Sequence, residues 1–167
     1  MTHGVLVSIS DRGILILGQS GAGKSDLALE LIADGNALVA DDVVELFVVD
    51  SSVYGQAPER FSGIIQISGL GIFDVTEVFG PSAYKKRIRI DACVDLDRED
   101  QADPFSQFAQ MEVAGQLLPC FGFGGRSRRN LKLLIDTATK LIDNKADVAV
   151  GKFVEAHDRL VSTKTLK

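Results

Sequence analysis

The sequence predicts an α/β fold of the P-loop NTPase type. A glycine-rich segment at residues 18–25 lies between a β-branched run and a run with helical spacing, which is the order that a phosphate loop requires. Several other short apolar runs are separated by turn residues and predict more strands. The length of 167 residues and the hydrophobic content of 46% suit a single domain, residues 1–167.

A hairpin is predicted to lead into the glycine-rich segment. The runs Val5–Ile9 and 14–17 are rich in β-branched residues and leucine, and residues 10–13 between them favour a turn. After Ser25, apolar residues recur at helical spacing, and Gly35 stands where a left-handed residue would end the helix. The first helix is therefore predicted to follow the glycine-rich segment directly.

Two strands are predicted on either side of an acidic pair. Ala37–Ala40 and Val43–Val49 are short apolar runs, and Asp41 and Asp42 lie between them. A carboxylate at the end of a strand beside a phosphate loop can bind a metal or accept a proton. On the pattern alone, a structural role for the pair, as a turn cap or as surface charge, is as common as a functional role.

The rest of the chain predicts three more strands and two helices. Ile64–Ile67, 88–96 and 117–121 have strand patterns. The Asp-x-x-Glu spacing at residues 74–77 resembles a capping box for a short helix. Apolar residues at helical spacing predict a longer helix over residues 129–144.

Composition argues against several functional classes. The net charge of −5 does not suit nucleic acid as the main partner. Polar residues interrupt the apolar run at 4–17 long before it could span a membrane, so we expect no membrane partner and a cytoplasmic location. Cys93 and Cys120 have no neighbouring Cys or His at metal-ligand spacing, and we expect both to be buried thiols.

The glycine-rich segment matches the full phosphate-loop pattern G-x-x-x-x-G-K-[ST]. Its glycines let backbone N–H groups surround a phosphate, and the N-terminus of the next helix adds partial positive charge. Lys24 supplies a cation for the β- and γ-phosphates, and the Ser25 hydroxyl is a ligand for magnesium. We therefore predict ATP and Mg²⁺ as cofactors. The predicted ATP-binding residues are Gly18, Gln19, Ser20, Gly21, Ala22, Gly23, Lys24 and Ser25.

Five segments together resemble the catalytic domain of HPr kinase/phosphorylase. They are residues 3–7, 18–25, 40–42, 67–75 and 126–131, in the order and spacing of that family. The fourth segment is far more specific to the family than the phosphate loop. The resemblance implies a phosphate-loop domain related to phosphoenolpyruvate carboxykinase, with a mixed sheet and flanking helices.

The resemblance also implies an activity. The family uses ATP to phosphorylate a serine of the carrier protein HPr, and removes that phosphate with inorganic phosphate, releasing pyrophosphate. An HPr-type phosphocarrier protein is thus the implied partner, and a homo-oligomer, usually a hexamer, is the implied assembly. By match of position, Asp42 exchanges the serine proton, Lys24 and His3 are the other catalytic residues, and Ser25 is the magnesium ligand.

Several positions depart from the family pattern. Gln66 stands where the family has a glutamate that helps to hold magnesium, which leaves Ser25, Asp41 and Gln66 as the expected metal-binding set. Gln107 replaces a catalytic arginine. Residues 124–129 keep their charged ends but lack both family prolines, which argues against phosphorylase activity. The N-terminal domain of longer family members is expected to be absent.

Three hypotheses about function remain open from the sequence. The first is a serine kinase of the HPr kinase type. The second is a nucleotide-binding regulator that has lost catalysis, for which Gln66 and Gln107 argue. The third is a small-molecule kinase whose substrate pocket would use Arg126, Arg128 and Arg129.

Overall fold

Most strands belong to one nine-stranded mixed sheet in the computed structural model, which describes residues 1–98, 109–124 and 128–143. Two further strands form a separate hairpin. The strands are β1 (Thr2–His3), β2 (Val5–Ile9), β3 (Arg12–Leu17), β4 (Ala37–Ala40), β5 (Val43–Val49), β6 (Ser52–Gln56), β7 (Ile64–Ile67), β8 (Gly71–Asp74), β9 (Arg87–Asp95), β10 (Ala109–Val113) and β11 (Gln116–Gly122). The helices are α1 (Lys24–Ala33), α2 (Val75–Phe79) and α3 (Arg128–Asp143).

The long strand β9 organises the large sheet. On one side it runs parallel to β3, and the order continues through β2 to β4. On the other side its first half pairs antiparallel with β6, followed by β5 and β1. Its second half pairs parallel with β11, which carries β10. The sheet is therefore mixed, as predicted, and it also branches along β9.

The predicted hairpin before the phosphate loop is confirmed. β2 and β3 pair antiparallel from Val5 opposite Ile16 to Ile9 opposite Arg12. At the start of β3 the backbones of β3 and β9 approach closely, because a Cβ on Gly13 would stand 2.1 Å from the carbonyl oxygen of Arg89. Only glycine fits at that position.

The first helix also begins and ends as predicted. Gly23 caps the N-terminus of α1 with a left-handed backbone, and Gly35 follows its C-terminus at φ 90°. The Gly35 N–H donates to the Ile32 carbonyl at 2.9 Å, which satisfies one of the last carbonyls of the helix. α1 thus starts at the loop that the motif identifies.

Two hydrophobic clusters fill the two faces of the sheet. Val5 and Val7 face one cluster and Leu6 faces the other, because successive residues of a strand point to opposite faces. The first cluster receives Leu27 and Leu31 of α1. Helix α1 therefore packs on one face of the sheet.

Both cysteines are buried, as predicted. Cys93 of β9 lies opposite Cys120 of β11 in the second cluster, and neither forms a disulfide within the described residues. Burial raises the pKa of the Cys93 thiol to about 12. A thiol with so high a pKa stays protonated at neutral pH and is unreactive.

Four strands were not predicted. β1, β6, β8 and β10 are short, and each is defined by its pairing with a neighbouring strand. Three of them, β1, β6 and β8, are adjacent to or contain a glycine, which weakens a strand pattern. In β6, Gly55 is required because a Cβ there would lie 2.5 Å from the Leu6 side chain. Gly55 permits close packing within the sheet, and it also weakens the strand pattern in the sequence.

No helix within residues 1–98, 109–124 and 128–143 combines the length and the apolar character needed to cross a membrane.

Asp74 caps the short helix α2, as its place in the predicted capping box requires. The Asp74 carboxylate accepts hydrogen bonds from the Thr76 N–H at 2.7 Å and from the Thr76 hydroxyl at 2.6 Å. These bonds, the hydroxyl first, hold the pKa of the Asp74 carboxyl below its ordinary value of 3.8. The ionised form is therefore the form that the fold stabilises.

We expect Asp74→Ala to lower the free energy of unfolding by about 1 kcal/mol at neutral pH, the usual contribution of a cap. Because the folded-state pKa of Asp74 is lowered, its contribution is complete above 3.8 and is lost as pH falls through the folded-state pKa. Urea unfolding near pH 7 and near pH 3 measures both values. Asp74→Asn, which keeps an acceptor, is the control. A loss that is equal at both pH values would contradict the assignment.

Candidate functional site

The phosphate loop lines a cavity of about 950 Å³. The loop leaves β3 and enters α1, while β1, the turn between β4 and β5, and the β7–β8 hairpin supply the rest of the wall. The lining residues are His3, Val5, Gly18, Gln19, Ser20, Gly21, Gly23, Lys24, Ser25, Asp26, Asp42, Gln66 and Ser68. All the predicted catalytic, ATP-binding and metal-binding residues except Ala22 and Asp41 therefore line this cavity.

The loop needs its glycines at the two ends. Gly18 has φ 147°, and a Cβ there would be 3.2 Å from the Cβ atoms of Ala22 and Leu96. Gly23 has φ 87° at the N-cap of α1. These conformations turn the chain sharply from β3 into the helix, so the N-terminus of α1 opens into the cavity.

The Lys24 side chain folds back over the phosphate loop. Its Nζ donates to the carbonyl oxygens of Gly18 at 2.7 Å and Gln19 at 2.8 Å. The ammonium group therefore lies at the mouth of the loop. A phosphate bound by the loop would be within reach of this cation after a change of side-chain rotamer.

Asp41 joins the phosphate loop to the β7–β8 hairpin. Its Oδ1 accepts a hydrogen bond from the Ser25 hydroxyl at 2.7 Å, and its Oδ2 accepts one from the Gln66 backbone N–H at 3.0 Å. The residue is only 9% exposed. Ser25, Asp41 and Gln66, the expected metal-binding set, thus lie together around one carboxylate.

Asp42 has very different surroundings from its neighbour. Its side chain is 82% exposed, and Oδ1 lies 3.9 Å from Nδ1 of His3. Its φ of 63° belongs to a tight turn in which the Val43 N–H donates to the Asp41 carbonyl at 2.8 Å. Positive φ is uncommon outside glycine and costs some energy, although aspartate tolerates it better than most residues, and here it turns the chain at the rim of the cavity.

The oxygen donors around Asp41 fit a magnesium ion that arrives with phosphates. Mg²⁺ takes one or two ligands from protein oxygens and completes its shell with water and substrate phosphates. The Ser25 hydroxyl and the Asp41 carboxylate supply such oxygens. Among residues 1–98, 109–124 and 128–143, no group of three or more His, Cys, Asp or Glu could hold a metal alone. The site suits a metal that is held jointly with a nucleotide.

Some predicted residues lie outside the described part of the chain. They include Gln107 and Arg126. The backbone of Arg128 and Arg129 begins α3, but their side chains are also outside the described set. The hypothesis of a small-molecule kinase that uses these arginines stays a prediction.

Sequence reasoning missed one residue beside the loop. Asp97 follows β9, and its carboxylate contacts the Gln19 N–H. Its neighbours in sequence form no motif, so only the pairing of β9 with β3 reveals it.

A parallel β3–β9 pair with a phosphate-loop motif and an adjacent helix defines a domain with a P-loop-type fold. The chain belongs to the family described as "HPr Serine kinase C-terminal domain", whose model matches residues 1–156. The resemblance found in the sequence and the predicted fold class are both confirmed.

Similar proteins include two that are named HPr kinase/phosphorylase. One from Caldicellulosiruptor bescii is 38% identical over 141 residues, which cover 81% of this chain and 45% of the relative. One from Acidovorax sp. is 32% identical over 166 residues, covering 94% of this chain and 52% of the relative. This chain therefore spans about half the length of the curated relatives that it matches.

A solved structure matches more completely. The HPr(Ser) kinase/phosphatase from Coxiella burnetii superposes with a TM-score of 0.77 at 31% identity. The match covers 87% of this chain and 97% of the other chain. A match over nearly the whole of both chains supports the same fold for the domain.

The Ser25–Asp41 hydrogen bond can be measured by a double-mutant cycle of Ser25→Ala and Asp41→Ala. We expect a coupling free energy of about 1.5 kcal/mol, because the acceptor is a charged group in a mostly buried position. Urea unfolding of the single and double variants measures it. Ser20→Ala combined with Asp41→Ala is the matched control from the same loop and should be additive. Additive effects for Ser25 and Asp41 as well would contradict the contact.

Proposed function

We propose that this domain is a protein kinase that transfers the γ-phosphoryl group of ATP to a serine of an HPr-type phosphocarrier protein. One observation supports the proposal above all others. Two consecutive aspartates beside the phosphate loop have separate surroundings, Asp41 buried against Ser25 and Asp42 exposed at the rim. A kinase needs both a carboxylate beside the metal and a carboxylate open to the incoming hydroxyl.

In the proposed mechanism the phosphate loop binds the phosphates of ATP. Backbone N–H groups of the loop and the N-terminus of α1 provide the positive ends of aligned dipoles. Lys24 leaves the loop carbonyls and contacts the β- and γ-phosphates. Ser25, Asp41 and Gln66 would hold Mg²⁺, which supplies charge neutralisation on the phosphate oxygens. These residues position and stabilise the group that is transferred.

Asp42 is proposed to act on the substrate serine. Its exposed carboxylate accepts the proton of the serine hydroxyl as the oxygen attacks the γ-phosphorus and the bond to ADP breaks. His3, whose Nδ1 lies 3.9 Å from the Asp42 Oδ1, stabilises the charge of that carboxylate when the imidazole is protonated. The strained backbone of Asp42 keeps the side chain turned away from Asp41.

A second function is supported by one observation. Gln66 lines the cavity with an uncharged amide at a place where the family resemblance implies a metal-binding carboxylate. An amide neutralises no charge on a divalent ion and so weakens magnesium binding. A nucleotide-binding regulator without transfer activity is therefore the alternative. The departures at 124–129 argue against the phosphorylase direction.

We also propose that the protein is a cytoplasmic homo-oligomer, as the family resemblance implies, with a hexamer as the expected assembly. Multi-angle light scattering of the purified chain measures its mass. A monomer at all concentrations would contradict this part of the proposal.

The kinase proposal is tested with labelled ATP, magnesium and the HPr-type carrier proteins of the host. We expect label on a carrier serine with wild-type protein and a rate about a thousandfold lower with Asp42→Asn, because a general base is lost. Asparagine tolerates the left-handed backbone at this position, so the fold is retained. ATP affinity should be preserved in Asp42→Asn and should fall at least about tenfold in Lys24→Ala, which removes a charge-assisted contact to phosphate.

The result distinguishes the two functions. Binding of ATP that depends on Lys24, without transfer to any carrier of the host, would reject the carrier kinase and favour the regulator. Transfer that survives Asp42→Asn would reject Asp42 as the base. Adding inorganic phosphate to the labelled carrier and measuring pyrophosphate tests the reverse reaction.

A further inference from the structure

A third acidic side chain contacts the phosphate loop from the neighbouring strand. Asp97 stands two residues after the end of β9, and its Oδ2 accepts a hydrogen bond from the Gln19 N–H at 2.5 Å. Its other oxygen, Oδ1, lies 3.6 Å from the place that a Cβ on Gly18 would occupy. The carboxylate therefore contacts the first residues of the loop, where the chain leaves β3.

The position of Asp97 is set by both strands. The Leu96 N–H donates to the Leu17 carbonyl at 3.0 Å, which continues the β3–β9 pairing to the residue before Asp97. Asp95 Oδ1 accepts hydrogen bonds from the backbone N–H groups of Asp97 at 3.0 Å and Arg98 at 3.3 Å. Hydrogen bonds of the backbone N–H groups before, at and after Asp97 therefore hold the turn that carries its carboxylate.

The backbone of Gln19 takes part in three hydrogen bonds. Its N–H donates to Asp97, and its carbonyl accepts from the Ala22 N–H at 3.1 Å and from Lys24 Nζ at 2.8 Å. In the mechanism proposed above, the bond from Lys24 breaks when its ammonium group turns to a bound phosphate. The bond to Asp97 comes from a different strand and does not depend on Lys24.

We propose that Asp97 is a positioning residue for ATP binding, which anchors the start of the phosphate loop through the Gln19 N–H. The anchor keeps the loop in its binding conformation when Lys24 leaves the loop carbonyls for the phosphates. Asp97 touches neither the phosphates nor the substrate serine in this role. The inference rests on the proposed function, because it assigns a residue to the ATP site of that function.

The hydrogen bond and the charge of Asp97 have opposite effects on ATP affinity. A carboxylate beside a bound triphosphate repels it. The hydrogen bond stabilises the loop conformation that binds the triphosphate, and apparent affinity falls in proportion to any loss of the competent conformation. Asp97→Ala removes both the charge and the acceptor. Asp97→Asn removes only the charge, so the two variants separate the two effects.

The test compares Asp97→Ala, Asp97→Asn and the wild-type full chain, with Glu112→Ala of β10 as an exposed carboxylate control. We expect Asp97→Ala to raise the Kd and the KM for magnesium-ATP about fivefold, which is less than the roughly tenfold minimum for a buried charged hydrogen bond because this carboxylate is exposed. The kcat for the carrier should change less than about twofold, since the lost bond affects loop population and not the transfer step. Asp97→Asn, which keeps an acceptor and removes the repulsion, should bind magnesium-ATP at least as tightly as wild type, and each Tm should stay within about 4 °C of the wild-type value.

The outcomes distinguish failure of the anchoring role from failure of the proposed function. If wild type and Asp97→Ala bind ATP with the same Kd, the anchoring role is wrong and the proposed function stands. If Asp97→Asn binds as weakly as Asp97→Ala, the hydrogen bond is not the cause and the anchoring role is again wrong. If the wild-type chain does not bind ATP at all, the proposed function is wrong and the inference with it.

Discussion

The parallel pairing of β3 with β9 is the constraint on which the rest of the site depends. Leu17, the last residue of β3, lies opposite Asp95, the last residue of β9. Parallel strands end at the same edge of a sheet. The phosphate loop after β3 and the turn after β9 that contains Asp97 therefore leave the sheet side by side. The close approach of Gly13 to Arg89 at the other end of the pair allows this register. A change in register would move the loop away from Asp97.

The acidic pair shows how one short turn produces two chemical environments. Asp41 directly follows the buried strand β4 and both of its carboxylate oxygens accept hydrogen bonds, whereas the side chain of Asp42, the next residue, is exposed. Asp42, in the turn between β4 and β5, has a positive φ. Because the backbone turns so sharply, neighbouring carboxylates do not share one location, and their mutual repulsion is reduced.

The parts of the fold that could be predicted are those with local causes. The strand, glycine loop and helix from residue 12 to Ala33 follow from residues that lie next to one another in sequence. β6 and β8 could not be found in this way, because their strand character comes from pairing with β5 and β7 and not from their own pattern. The cap at Asp74 could be predicted, since its acceptor and donor are two residues apart.

The sequence by itself determined the phosphate loop, the family and the presence of an acidic pair near the loop. Only the tertiary structure decided which residues these aspartates contact. Asp41 bonds to Ser25 and Gln66. Asp42 lies near His3, and Asp97 bonds to Gln19. The physical reason is the range of the interactions. Loop and helix conformations arise from backbone preferences of consecutive residues. The contact of Asp97 with Gln19 joins residues 78 positions apart, and it exists because strand pairing and burial bring them together.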